Sequence, residues 1–332
     1  MPEQTVFVTR VVPQKGLDLI LNAPEIEAEV WPGDLPPPRA VLLEKVRGLD
    51  GLYCLLTDTI DDELLDTAGP QLKVVSQMAV GYDNIDIAAC TRRGIPVGNT
   101  PGVLTEATAD LTLALLLGTA RRLVPSAEAV KAGRWQTWEP EGYTGPDVYG
   151  STIGIIGLGR IGLAVARRLC GFNVRLLYHN RQPSPLAAAE INATFVDLDT
   201  LLAESDFVSL HCPLTPDTRH LINAERLRQM KPTATLINTA RGDVVDQNAL
   251  VEVLREGVIA YAGLDVTTPE PLPADSPLLS LPNATVLPHI GSASIAARNK
   301  MATMAAENLL AGLKGERLPN CINPGVYEDA VG

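Results

Sequence analysis

The sequence predicts an α/β protein of two doubly wound domains, each a parallel sheet covered by helices on both faces. Three observations lead there. Short β-branched runs alternate with helical patterns along most of the chain, which implies parallel strands joined by helical crossovers. The one glycine-rich phosphate motif lies in the middle of the chain rather than at its start. Finally, 332 residues at 46% hydrophobic composition suit two cores of ordinary size.

The elements follow in order. In the first hundred residues "TVFV", "GLYCLL" and "LKVVSQM" read as buried strands. Further on, "STIGIIG", "VRLLYHN", "DFVSLHC", "ATLINTA", "AYAGLDV" and "ATVLP" read the same way. Stretches such as 39–49 and 248–256 carry apolar residues at helical spacing between them. The longest helix candidate spans 105–131, with Thr105 as N-cap and Gly133 as stop. Its middle, "LTLALLL", is apolar nearly all round, which predicts burial on every side, by packing between domains or between subunits, with a homodimer interface the preferred reading. Because the glycine motif follows "STIGIIG", a nucleotide domain is expected to begin near residue 103, after a first domain at 1–102. The amphipathic segment 295–314 fits either domain.

Composition narrows the partners. The chain has 27 Lys+Arg against 39 Asp+Glu, a formal charge of −12, which argues against nucleic acid or an anionic membrane surface as partner while leaving room for a local basic pocket. "MPEQTVFVTR" has no basic segment followed by an apolar core, and "LTLALLL" is far short of the roughly 20 residues that span a bilayer. The five cysteines show no CxxC pair or metal spacing. The expectation is a cytoplasmic protein with reduced thiols and no metal.

"GIIGLGRIG" places Gly157, Gly159 and Gly162 at a strand end that opens a helix. The first glycine permits the tight turn and the second lets a pyrophosphate approach the backbone. The third lets helix and strand pack closely, while the helix N-terminus faces the anion. This is a Rossmann dinucleotide site, although the motif would also fit a methyl-donor nucleotide. Such a site calls for an acid about 20 residues on, to hold the ribose hydroxyls. "LLYHNRQ" offers Asn180, Arg181 and Gln182 instead. A neutral amide and a guanidinium fork suit a 2′-phosphate, so NADP(H) is expected over NAD(H), with Arg181 as chief discriminator and Arg160 nearer the pyrophosphate. NAD remains possible if Arg181 points to solvent.

Three further residues follow strands: Arg241 in "NTARGDVVD", Glu270 in "TTPEPLP" and His289 in "PHIGSA". Strand C-terminal ends are where open α/β sheets bind ligands. An Arg can clamp a carboxylate, a His carries protons near neutral pH, and a carboxylate beside it stabilises its charged form. Together they suit a carboxylate next to a carbonyl; singly, each has an ordinary structural explanation. His179 and His220 read as exposed, and His211 as part of a loop skirting the cofactor.

"GIIGLGRIG", "HCPLTPDT", "LINTARGDVVD", "GLDVTTPEPLP" and "LPHIGSA", with "MAVGYDNID" earlier, resemble the ordered motifs of the D-isomer-specific 2-hydroxyacid dehydrogenases. Within that family the likeness is greatest to glyoxylate/hydroxypyruvate reductases. The resemblance implies that Arg241 binds the substrate carboxylate, His289 delivers the proton and Glu270 keeps His289 protonated. It implies cofactor contacts at Ile161, Cys212, Pro213, Thr218, Thr239, Ala240 and Gly291, with Asp265 holding the nicotinamide carboxamide. Val80 and Gly81 match the loop whose amides receive the carboxylate; Leu56 and Ser292 match other pocket positions. Trp138 matches an aromatic that reaches the partner subunit's site, with simple loop packing as the alternative. The implied architecture is a Rossmann coenzyme domain at 103–292 and a discontinuous flavodoxin-like substrate domain at 1–102 and 293–332. Two rivals stay open: a phosphoglycerate or D-lactate dehydrogenase of the same family, and a dinucleotide-sensing corepressor. Residues 74–91 contain no Lys or Arg, which disfavours a phosphorylated substrate.

Overall fold

Alternation of strand and helix builds two separate sheets, and every strand pair in both is parallel. The computed structural model describes residues 4–328, the side chain of Ala187 excepted. It divides into one unit of Met1–Leu104 with Ala293–Gly332, and a second of Thr105–Ser292.

The first unit runs β1 (Gln4–Val8), α1 (Gln14–Leu21), β2 (Ile26–Val30), α2 (Arg39–Lys45), β3 (Gly51–Cys54), α3 (Asp62–Ala68), β4 (Val74–Gln77), α4 (Ile87–Arg92) and β5 (Val97–Gly98). Its strand order is β2-β1-β3-β4-β5, the flavodoxin-like order. Phe7, Leu52, Cys54 and Val75 bury one sheet face against Leu42, Leu64, Leu65 and Ala89 of the α2, α3 and α4 helices. The opposite face needs a cover as well.

The second unit supplies α5 (Thr105–Ala120), α6 (Leu123–Lys131), β6 (Thr152–Ile156), α7 (Arg160–Leu169), β7 (Arg175–His179), α8 (Pro185–Ile191), β8 (Thr194–Phe195) and α9 (Leu198–Glu204). It continues with β9 (Phe207–Leu210), α10 (Ala224–Gln229), β10 (Thr235–Asn238), α11 (Gln247–Glu256), β11 (Tyr261–Leu264) and β12 (Ala284–Val286). The order β12-β11-β10-β9-β6-β7-β8 is the Rossmann arrangement with a seventh strand, and it reverses direction between β6 and β9. Successive side chains enter opposite cores, as a buried parallel strand requires. Ile155, Tyr178, Phe207 and Ile237 pack with α5 and α7. Ile156, Leu177, Val208 and Leu236 pack with α9 and α11.

The last helix, α12 (Ile295–Leu313), belongs to the first unit and covers its open sheet face. Tyr53 Oη and Ser76 Oγ donate to the carbonyls of Ala302 (3.3 Å) and Ala305 (2.7 Å). Leu309 and Leu313 are buried there, each burial stabilising by about 1.5–3 kcal/mol. That gain explains why the chain returns to its starting unit.

The expected strands are all present, and three more appear. β2 is an edge strand written "IEAEV", while β5 and β8 are two residues long, too short for a period to show. The single helix expected over 105–131 is a correction. Arg122 takes a left-handed conformation (φ 52°) that ends α5, and α6 begins at Leu123. Pro125 is the reason: without an N–H and with its ring against the preceding turn, it cannot sit inside a continuous helix but is tolerated in a first turn. Nor is the segment buried all round in this chain. Thr108, Ala109, Thr112, Leu115, Leu116, Thr119 and Ala120 are buried, whereas Leu111, Leu113 and Leu117 are half-buried and Ala114 is exposed. No helix of the described residues is long and apolar enough to cross a membrane, and no three or more of their His, Cys, Asp and Glu side chains cluster as metal ligands would. All five cysteines are free.

Candidate active site

The glycine loop is built by close approach. Gly157 has φ +97°, a region costly for any side chain, and a Cβ there would lie 2.7 Å from the Cys212 nitrogen. A Cβ on Gly162 would collide with the Gly157 carbonyl, so α7 and the loop pack only as glycine. Gly159 is different: it caps α7, and a Cβ would meet nothing within 4 Å. Open space over a helix N-terminus at the reversal point of the sheet fits a dinucleotide pyrophosphate. Arg160 is exposed on the first turn and Ile161 half-buried beside it.

At the tip of β7, Asn180 Oδ1 accepts from the Leu158 backbone N–H at 2.7 Å, tying strand tip to glycine loop. Its amide nitrogen is therefore the group it presents outward. Arg181 and Gln182 follow, both exposed. His179, expected to be exposed, is half-buried: its Nδ1 lies 3.0 Å from the Val196 carbonyl and its ring stacks on Phe195. The β8 strand, absent from the sequence reading, is what covers it. His220 is exposed.

The 211–218 loop lies against Gly157. Burial pushes the His211 pKa down to about 4, leaving a neutral ring 2.9 Å from Ser209 Oγ. Cys212 is half-buried and Pro213 exposed; burial pushes the Cys212 thiol up to about 11. Thr218 Oγ1 is turned into its own loop, donating to the Pro213 carbonyl at 2.6 Å. After β10, Thr239 Oγ1 meets Thr112 Oγ1 at 2.8 Å, and Ala240 N donates to Asn238 Oδ1 at 3.0 Å.

Arg241, Glu270 and His289 come together in this unit. His289 Nδ1 lies 2.8 Å from Glu270 Oε2, and Glu270 Oε1 accepts from the Thr267 N–H at 2.9 Å. Burial alone would raise the Glu270 pKa, but the His289 hydrogen bond and charge, the Thr267 N–H and the Arg241 charge outweigh it and hold the carboxyl below its usual value. Arg241 Nη1 donates to the Ala240 carbonyl (2.8 Å), while Asn238 Nδ2 donates to the Arg241 carbonyl (2.8 Å).

Gln247 escaped sequence reasoning, and Asp265, read there only as a cofactor contact, has a second role in the structure. Gln247 brackets the Glu270 loop, donating to the Thr268 carbonyl (2.6 Å) and accepting from its N–H (2.9 Å). His289 itself is left-handed, φ +55°, a conformation that costs a non-glycine residue and persists only where the surroundings impose it. Asp265 imposes it. Its backbone carbonyl accepts from His289 N (2.9 Å), and its two carboxylate oxygens accept from Ile290 N (2.8 Å) and Gly291 N (2.7 Å). The side chain is 1% exposed; burial raises its pKa against the pull of those two N–H groups. No periodicity or spacing carries a signal for either support.

Ser292 ends the second unit, half-buried, and Trp138 stands 77% exposed in a loop after α6. Leu56, Val80 and Gly81 belong to the first unit, half-buried at the ends of β3 and β4.

The sequence profile described as "D-isomer specific 2-hydroxyacid dehydrogenase, NAD binding domain" matches residues 113–291. The chain is 51% identical to a glyoxylate reductase of Korarchaeum cryptofilum over 97% of each chain. It is also 51% identical to the human glyoxylate reductase/hydroxypyruvate reductase, over 95% of this chain and 96% of that one. A solved NADPH-dependent glyoxylate/hydroxypyruvate reductase of Sinorhizobium meliloti, in complex with NADP and malonate, is 33% identical at a TM-score of 0.83, over 96% and 97% of the two chains. The protein is an enzyme of the D-isomer specific 2-hydroxyacid dehydrogenase family.

Proposed function

We propose that the enzyme is an NADPH-preferring reductase of small 2-keto acids, taking glyoxylate to glycolate and hydroxypyruvate to D-glycerate. The observation that carries this reading is the 2.8 Å pair of His289 and Glu270 with the Arg241 charge acting on it. With Nδ1 committed to the carboxylate, His289 holds its other proton at Nε2, the atom free to protonate a carbonyl oxygen. Arg241 clamps the carboxylate of the keto acid and polarises the neighbouring carbonyl. Glu270 stabilises the charged imidazole until the proton is delivered. NADPH, when bound, supplies the hydride.

The cofactor preference is supported at the β7 tip, where Asn180 presents an amide donor and Arg181 a guanidinium, with no acid to repel a 2′-phosphate. The absence of Lys and Arg from 74–91 supports unphosphorylated substrates. We also propose a homodimer through the 105–131 region, where Leu123, Val124 and Val130 are exposed, followed by Trp135 and Trp138. Steady-state comparison of glyoxylate, hydroxypyruvate, pyruvate and phosphohydroxypyruvate, each with NADPH and NADH, tests the reading. Glyoxylate and hydroxypyruvate with NADPH should give the highest kcat/KM; a preference for the phosphorylated acid or for NADH overturns the corresponding half.

A further inference from the structure

After β4 the backbone of the first unit presents three consecutive carbonyls, and each is tied back into the unit. The Ala79 carbonyl accepts from Thr100 N (2.8 Å), the Val80 carbonyl from Asn99 Nδ2 (2.9 Å), and the Gly81 carbonyl from Gln77 Nε2 (2.5 Å). A trans peptide is planar, so the N–H of each following residue points opposite to the carbonyl that precedes it. Holding the Ala79, Val80 and Gly81 carbonyls inward therefore aims the N–H groups of Val80, Gly81 and Tyr82 the other way. Among the described residues none of the three N–H groups has a protein acceptor.

The two side-chain amides that hold the Val80 and Gly81 carbonyls, and so aim the Gly81 and Tyr82 N–H groups, are themselves fixed. Gln77 is fully buried; since its Nε2 faces a carbonyl, its Oε1 is the acceptor for Asn84 Nδ2 (2.7 Å). Asn84 Nδ2 also reaches the carbonyls of Asp58 (2.7 Å) and Leu55 (3.1 Å). The Asn99 carbonyl accepts from Nδ2 of the buried Asn308 in α12 (2.9 Å), whose Oδ1 accepts from Asn320 N (3.0 Å). A buried amide bonded through both its nitrogen and its oxygen, as Gln77 and Asn308 are, resists rotation, and breaking one of those bonds is costly, so they favour this arrangement of the loop.

We propose that Asn99 and Gln77 are positioning residues for the substrate: by holding the Val80 and Gly81 carbonyls they pre-aim successive backbone N–H groups as a cradle for the keto acid's carboxylate. This rests on the reading of Val80 and Gly81 as the carboxylate-receiving loop. Successive N–H groups held in one concavity bind an anion with little left to reorganise, so these residues act on carboxylate affinity. The groups assigned to proton transfer are on the other unit, so turnover at saturation should be spared.

The test uses Asn99→Ala and Gln77→Met in the full-length enzyme, reading KM and kcat for glyoxylate, inhibition by the unreactive carboxylate oxamate, and NADPH affinity by fluorescence. In each variant the glyoxylate KM and the oxamate inhibition constant should rise together by roughly tenfold. The kcat should stay within about threefold and NADPH affinity should hold. Asn99 is half-exposed, so water can replace its amide and the variant can fold; should Gln77→Met not fold, Asn99→Ala decides alone. Gly81→Pro, which deletes one cradle N–H outright, separates the two layers of the argument. If it leaves both carboxylate constants unchanged, the reading of the loop falls. If it raises them while Asn99→Ala and Gln77→Met do not, the loop stands and the positioning role is wrong. Parallel losses in kcat, KM and NADPH affinity would mean general disruption and also overturn the proposal.

Discussion

Asp265 accepts the N–H groups of both Ile290 and Gly291 through its two carboxylate oxygens, and the turn so fixed is the one that carries His289 in a left-handed conformation. A near-isosteric Asp265→Asn keeps the volume but can accept through one oxygen only, and sets an NH2 against the other N–H. The turn should loosen, and kcat for glyoxylate should fall roughly tenfold, the usual consequence of one unmet buried hydrogen bond. Thermal stability and kcat measured together would check this. An unchanged kcat would mean that the turn holds His289 without the carboxylate.

The Glu270 pair should set the pH dependence. Its carboxyl is held below the ordinary glutamate range, so the stability it contributes is present above that range and lost only as pH falls through the depressed value. Mild acid should therefore leave the pair intact. On the alkaline side the sign reverses in Glu270→Gln. The variant removes the carboxylate charge that lies 2.8 Å from His289 Nδ1. The alkaline limb of kcat/KM for glyoxylate reduction should then move to lower pH. Superimposable profiles for the two enzymes would separate Glu270 from the proton step.

Arg181 should discriminate between cofactors. Arg181→Ala should raise the KM for NADPH by on the order of tenfold or more, the worth of a charge-assisted contact, while that for NADH stays nearly constant. Equal shifts in the two constants would place the discrimination elsewhere.

Much of this was legible in the residues. The β-branched runs gave the long buried strands because parallel strands covered on both faces are apolar throughout. Gly157 and Gly162 are readable because each meets a backbone requirement that no side chain allows, and Gly159 because it leaves open space over the helix N-terminus. Arg241, Glu270 and His289 stand out because charged or proton-carrying groups follow strands. What stayed hidden is what depends on partners distant in sequence. Gln77 and Asn99 look like ordinary polar residues until the 78–82 loop folds against them. The short β5 and β8 strands exist only through their neighbours β4 and β7. The break at Arg122 was in plain view as Pro125, but the apolar run around it concealed the stop.

The central claim is that His289 carries the proton in 2-keto acid reduction, and His289→Gln tests it most directly. Steady-state reduction of glyoxylate with NADPH, alongside NADPH binding by fluorescence, is the measurement. The kcat should fall by roughly 10²-fold or more, the worth of a positioned proton carrier, with cofactor affinity retained. Near-normal turnover in a variant that still binds NADPH would contradict it.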